Sequence, residues 1–298
     1  MPRPISDLSF REKASYFVSN LILRGVIRVM GMLPYKMRLR MMGGLLRRIA
    51  PVVGIERRIR QNLNYVMPDL PAAEVKKICA DVADNAGRTI AELYAGAPFR
   101  KLAEQSRISG PGLDALRQAK AENRPVILVT AHFANYDAAR AKLISLGFKM
   151  GSLYRRMANP YFNEHYVAAI KTTGTPMFEQ GKRGMVEMVR YLKQGGTLAV
   201  VADLHAYGGS QIDFFGKPAK TSLVVAELAL KYNAVMIPVY AVRQDNGFEF
   251  EVIMKAPLEH SDALTMTTEV TQDLEDMVRQ HMGQWFWIHR RWKPFIKG

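Results

Sequence analysis

The sequence predicts an α/β fold: a mostly parallel central sheet flanked by helices, preceded by a helical N-terminal region. Three observations carry this. From about residue 107 onward, short β-branched or apolar runs alternate with helical stretches, and that alternation builds a largely parallel sheet covered by helices. The first hundred residues show helical periodicity and no strand signal. The 298 residues, 48% hydrophobic and 23% charged, form a chain long enough for one large core, with neither a disordered nor a collagen-like composition. The expected division is a helical, basic, membrane-associated region over 1–100 and an α/β core over 101–298, together one compact unit.

Helices are expected over about 10–33, 35–49, 54–66 and 71–96, the last two separated by Pro68-Asp-Leu-Pro71. Residues 1–60 hold thirteen Lys/Arg, Arg3 included, against three acids, so +10 of the overall +15 sits there. A chain so basic favours anionic partners: nucleic acid, an anionic membrane or an acidic carrier protein. The stretch is also apolar between its charges, which points to a membrane surface. Ala14–Leu33 is about the right length to span a bilayer. However, Arg24 near its middle and Arg28 one turn later would each cost about 2.5–3.5 kcal/mol at a helix centre. A helix lying in the interface avoids that cost, with Arg24 and Arg28 snorkelling to phosphates while Phe17, Leu21 and Ile22 enter the acyl region. The alternative is a buried helix whose arginines reach solvent at its edge. The arginines interrupt the apolar segment and no small-residue cleavage site follows, so a cleaved signal peptide is not expected.

Strands are predicted at 126–129, 150–154, 197–202 and 235–241. A hairpin return at 248–254, after Asp245-Asn-Gly247, is expected to form the sheet edge. The first of these strands runs directly into His132-Phe-Ala-Asn-Tyr-Asp137 and then a helix. Ligands of open α/β sheets bind at the carboxyl ends of strands, which puts His132 where chemistry is expected. Residues five apart on one helix point about 140° apart, so His132 and Asp137 meet only if His132 lies in the turn and Asp137 in the first helical turn. A carboxylate accepting one imidazole N–H fixes the tautomer and raises the basicity of the other nitrogen, which can then take a proton from an alcohol. Taken alone, the spacing is equally compatible with a histidine that caps the helix.

Companion residues strengthen the functional reading. Tyr154-Arg-Arg156 follows the next strand, so Arg155 or Arg156 can reach the same rim and hold a phosphate or oppose charge developing on a thioester oxygen, unless the turn is simply solvated. Asp203, at the end of the following strand, is an acceptor-binding candidate, with a structural hydrogen-bonding role as the alternative. Lys217 and Lys220 lie in a segment expected to lead into a helix capped by Thr221 or Ser222, a possible anion site. Phe214 and Phe215 read as core or pocket wall. The C-terminal Trp285-Phe-Trp-Ile-His-Arg-Arg-Trp-Lys293 mixes aromatics with cations. It suits a bilayer headgroup region, base stacking, or a last helix packed on the sheet.

Other chemistries lack their signatures. There is no GxSxG elbow and no GxGxxG, and 174–183 imitates a phosphate loop with the wrong gap. The six histidines lack zinc-site spacing and Cys79 is the only cysteine, so no metal, cofactor or oxidising compartment is expected.

Four motifs, His132 to Asp137, Tyr154-Arg-Arg-Met-Ala-Asn-Pro160, Asp213-Phe-Phe-Gly-Lys-Pro-Ala-Lys-Thr221 and Trp285 to Lys293, occur in the order and spacing of the bacterial lipid A biosynthesis acyltransferases, the lauroyl and myristoyl transferases. Gln61-Asn-Leu-Asn-Tyr-Val-Met-Pro-Asp-Leu70 resembles their helical N-terminus too, so the resemblance covers nearly the whole chain. It implies a fold similar to the glycerolipid acyltransferases, at the cytoplasmic face of the inner membrane. It implies transfer of an acyl chain from acyl carrier protein to a hydroxyl of a lipid A precursor, without a covalent acyl-enzyme or a cofactor. His132 would be the general base, Asp137 its orienting partner, and Arg155 the family's arginine after the second strand. The sequence departs from the family in having Asp where many members have Glu at 137, and Asp203-Leu204 where many have Asp followed by Gln. The expected partners are acyl carrier protein, the lipid A precursor and membrane phospholipid, and not nucleic acid; no oligomeric state is implied. The competing readings are an acyltransferase for another glycolipid, an ornithine lipid or a lysophospholipid, a nucleic-acid-binding protein, and an inert peripheral membrane protein.

Overall fold

Ser9 starts the first helix with a capping box. Its hydroxyl accepts the Glu12 N–H at 3.3 Å while Glu12 Oε2 accepts the Ser9 N–H at 2.9 Å. The computed structural model describes residues 5–293, so Arg3 lies outside the described residues. The N-terminal region is helical as the periodicity predicts: α1 (Phe10–Gly31), α2 (Tyr35–Ile49), α3 (Ile55–Val66), α4 (Ala72–Leu93) and α5 (Ala97–Glu104).

Helix α1 has one buried residue, Asn20, and presents Phe17, Val18, Leu21, Ile22, Val26 and Val29 to the outside. That excludes the buried-helix alternative. Phe17, Leu21 and Ile22 are 49%, 54% and 60% exposed, and Arg24 and Arg28 are exposed with them. Among the described residues, no helix is long and apolar enough to cross a membrane.

Helices α2 and α4 cross with their backbones nearly touching. A Cβ on Gly87 would lie 2.3 Å from the Met42 carbonyl oxygen, and one on Gly43 would lie 2.4 Å from Asp84 Oδ1. Gly87 faces backbone, which cannot move aside. Gly87→Ala is therefore expected to destabilise the protein by about 1–3 kcal/mol, measured as a lower thermal unfolding midpoint.

Beyond α5 the chain alternates: β1 (Arg107–Ser109), α6 (Gly112–Ala121), β2 (Val126–Thr130), α7 (Asp137–Ser145), β3 (Met150–Tyr154), α8 (Pro160–Thr173), β4 (Met177–Glu179), α9 (Lys182–Lys193) and β5 (Thr197–Val201). Then come β6 (Ser210–Phe214), β7 (Lys217–Thr221), α10 (Val224–Tyr232), β8 (Val235–Arg243), β9 (Phe250–Met254) and α11 (Ala263–Gln280). The main sheet has the order β1-β9-β8-β2-β5-β3-β4. Every neighbouring pair is parallel except β8 and β9. β2 is buried along its whole length, as a central strand covered by helices on both faces must be. The 248–254 run does return as a hairpin strand, β9, but it is not the edge: the short β1 pairs outside it.

Of the two residues expected to cap a helix, Thr221 instead ends a hairpin of β6 against β7, whereas Ser222 follows it and its Oγ accepts the Val224 N–H at 3.4 Å. Phe215 and Gly216 both take positive φ, 56° and 64°, the geometry of a tight two-residue turn. Thr221 Oγ1 donates to the Ala219 carbonyl, α10 begins only at Val224, and its N-cap residue, Leu223, makes no side-chain cap bond. Lys217 and Lys220 therefore lie on strand β7 rather than in a loop leading into the helix.

The C-terminal aromatics are core. Trp285, Trp287 and Trp292 are buried, packed on one another and on Phe214 and Phe215. Each indole N–H is satisfied, Trp287 by the Met282 carbonyl at 2.8 Å and Trp292 by that of Phe214 at 3.2 Å. Membrane-headgroup and base-stacking roles for these tryptophans are therefore corrected to packing.

Candidate active site

β2 and β5 run parallel and in register, with Thr130 opposite Val201. The residues two positions past that pair, His132 and Asp203, emerge side by side at the carboxyl end of the sheet. His132 Nδ1 lies 2.8 Å from Asp203 Oδ1. Asp203 Oδ2 accepts the His132 backbone N–H at 3.0 Å and the Trp285 indole N–H at 2.9 Å. An ionised carboxylate only accepts, so Nδ1 carries the proton and the Nε2 lone pair is left basic. Asp203 is buried, its side chain 2% exposed, whereas the His132 side chain is 28% exposed. The imidazole thus stands partly exposed on an anchored carboxylate.

Charge follows from this geometry. Burial disfavours the imidazolium, but the charge and hydrogen bond of Asp203 outweigh it and hold His132 above the usual imidazole value. Burial likewise works against the Asp203 carboxylate. His132's charge and ring hydrogen bond, with the Trp285 and His132 backbone N–H groups, keep it below the usual carboxylate range. His165, His205, His281 and His289 are displaced the other way, burial being the largest cause in each; His289 falls to about 4.

Asp137, expected to orient His132, does not pair with it. It opens α7, and its Oδ1 accepts from Arg140 Nη1 at 2.9 Å. The two residues after His132 turn the chain away, with Ala134 in the left-handed region at φ 41°. This turn carries Asp137 onto the Arg140 side while His132 faces β5. Asp203, expected to bind the acceptor, is the histidine's partner in the structure, its carboxylate facing three donors.

The remaining candidates are dispersed. Arg155 is exposed and Arg156 half-buried, following β3 on the same carboxyl rim. Lys217 stands over the Tyr65 ring at 5.4 Å. Among the described residues, no hydrogen bond or ion pair joins any of the three to His132 or Asp203. α1 reaches this rim through Asn159, the N-cap of α8, whose Nδ2 donates to the Tyr16 carbonyl at 2.8 Å, and through an edge contact of Phe17 with Tyr161.

Sequence reasoning missed the groups that hold the histidine. Trp285 binds Asp203, the Phe286 N–H donates to the His132 carbonyl at 3.0 Å, and the rings of Tyr136 and Phe286 flank the imidazole. The aromatic C-terminal motif was the available signal, but nothing in it said which side it would turn to the site.

The profile of the bacterial lipid A biosynthesis acyltransferase family matches residues 8–294. The lipid A biosynthesis lauroyltransferase of Escherichia coli K12 is 23% identical over 292 residues, 92% of this chain and 91% of that protein. The lipid A biosynthesis acyltransferase of Haemophilus influenzae is 24% identical over 239 residues, covering 78% and 73%. The phosphatidylinositol mannoside acyltransferase of Mycobacterium tuberculosis H37Rv is 23% identical over 241 residues, covering 78% and 76%.

Proposed function

From membership of the bacterial lipid A biosynthesis acyltransferase family, which makes the chain an acyltransferase, we propose that it moves a fatty acyl chain from an acyl carrier protein thioester to a hydroxyl of a lipid A precursor. The observation that carries the mechanism is a partly exposed His132 held through Nδ1 by a buried Asp203, which leaves Nε2 as the basic nitrogen. Nε2 takes the proton of the acceptor hydroxyl as its oxygen attacks the thioester carbonyl. The tetrahedral intermediate collapses, the C–S bond breaks, and the imidazolium returns the proton to the departing thiolate. Asp203 holds the tautomer and offsets the positive charge on the ring. No protein nucleophile is acylated and no cofactor is required. Arg155, Arg156 and Lys217 are the cations assigned to anionic groups of the substrates.

We place the enzyme at the cytoplasmic face of the inner membrane, held by α1 against phospholipid. The support is the apolar side of α1 together with Arg24 and Arg28, beside the rim that carries the site. Replacing Phe17, Leu21 and Ile22 together by serine is expected to weaken partition into anionic vesicles at least tenfold, since burying even one such side chain contributes about 1.5–3 kcal/mol. Cosedimentation with vesicles measures it.

A second acceptor class has its own support in the similarity to the phosphatidylinositol mannoside acyltransferase. An acceptor panel decides between them: lipid A precursor, phosphatidylinositol mannoside and lysophospholipid, each with acyl carrier protein and coenzyme A thioesters, read by mass spectrometry. One added acyl chain on the lipid A precursor with the carrier-protein donor is the expected result. Transfer only to another lipid overturns the acceptor assignment.

A further inference from the structure

The loop that carries His132 is braced by a buried ionic cluster whose members lie far apart in the sequence. Glu92, in the last turn of α4, has a fully buried side chain. Arg243, the last residue of β8, donates Nη1 to its Oε1 at 2.5 Å and Nη2 to its Oε2 at 2.8 Å. Asn135 Nδ2 donates to the same Oε2 at 2.9 Å, and Asn135 Oδ1 accepts the Asp137 N–H at 3.1 Å. Asn135 thus ties the ion pair to the first turn of α7.

The preceding residue is held as closely. Ala134 sits at φ 41°, its N–H bonded to the Gln284 carbonyl at 2.7 Å and its carbonyl 3.0 Å from Thr89 Oγ1, whose one proton it shares with the Asn85 carbonyl at 2.9 Å. A non-glycine residue stays in that region only where its surroundings over-determine it. Thr89 and Glu92 are both on α4, one turn apart along the face that meets the loop. Burying two charges is a costly way to gain stability, so the pair calls for another role. The group it restrains is the turn that begins at the histidine.

We propose that Asn135, braced by the Glu92–Arg243 pair, is a positioning residue that fixes His132 against Asp203, so that helix α4 sets the geometry of the catalytic pair. This rests on His132 acting as the general base. A misplacement of about 1 Å is enough to lower turnover on the order of 100-fold.

Asn135→Ala cuts both side-chain ties and leaves Glu92 and Arg243 paired with each other. It is expected to lower kcat by about 10- to 100-fold with KM for both substrates unchanged. The acidic limb of its kcat profile moves to lower pH as the imidazole loses Asp203. Thr89→Val, nearly isosteric and lacking only the hydroxyl tie, is expected to shift kcat and the limb the same way by less. It keeps the test open if Asn135→Ala does not fold. Folded variants that lose only thermal stability, with native kcat and a native acidic limb, overturn the proposal. His132→Ala run in parallel separates the two claims. If it turns over normally, the general-base reading fails and the positioning role falls with it. If it is inactive while Asn135→Ala and Thr89→Val turn over normally, only the positioning role fails.

Discussion

Replacing His132 with alanine is expected to lower turnover by about 10²- to 10⁴-fold while leaving the protein folded and its substrates bound. The imidazole is 28% exposed and its Nδ1 side rests on Asp203, so its removal opens little core. The variant keeps the fold and lacks the group proposed to take a proton from the acceptor hydroxyl. Native-like circular dichroism together with a collapse of kcat is the expected pair of measurements. Because the base acts when neutral, the native rate rises with pH through the His132 pKa, which Asp203 holds above the ordinary 6.5. The acidic limb therefore has its midpoint above 6.5.

Asp203→Asn is expected to come close to His132→Ala in its effect, and Asp137→Asn is not. With asparagine at 203 the imidazole keeps its burial and loses its counter-charge, so its pKa falls. The acidic limb then moves to lower pH, and the plateau drops as Nε2 becomes a weaker base in a less certain tautomer. Asp137→Asn touches a different pair. It leaves Arg140, 3% exposed, with its charge buried and its counter-charge lost, held only by neutral acceptors: the asparagine oxygen, the Gly174 carbonyl and the Met177 sulfur. The expected loss there is about 3–5 kcal/mol of stability, with turnover per folded molecule near native. Kinetics and thermal melts on both variants separate the roles. A catalytic collapse in Asp137→Asn with an unaffected Asp203→Asn would reverse the assignment of the histidine's partner.

What could be read from the sequence followed the range of the interactions. Strands β2, β5 and β8 announce themselves because a strand buried on both faces is a continuous apolar run, and the early helices because their punctuation is local. The hairpin of β6 and β7 stayed hidden behind Pro218, which cannot donate to a ladder, and a Phe215-Gly216 turn that resembles a loop. His132 was legible from its place after a strand, but its partner was not. His132 and Asp203 are 71 residues apart and meet only because β2 and β5 are neighbours in register, and the sequence does not state sheet order. The nearer carboxylate, five residues on, drew the local reading instead. Glu92 and Arg243, 151 residues apart, left no local trace at all. The tryptophans were conspicuous, yet alternating aromatics and cations look alike whether they face lipid, bases or a core; only the packing of Trp285 onto Asp203 decides it.

Direct transfer promoted by His132 on Asp203 can be followed in a quenched single turnover. Native protein and His132→Ala would each be mixed with an acyl carrier protein thioester and lipid A precursor, with intact-protein and lipid masses read from the same samples. One acyl chain gained by the lipid, no acyl adduct on the protein at any time, and almost no gain with His132→Ala are the expected results. An acylated protein that forms and decays ahead of product, or undiminished transfer by His132→Ala, would contradict direct transfer promoted by this histidine.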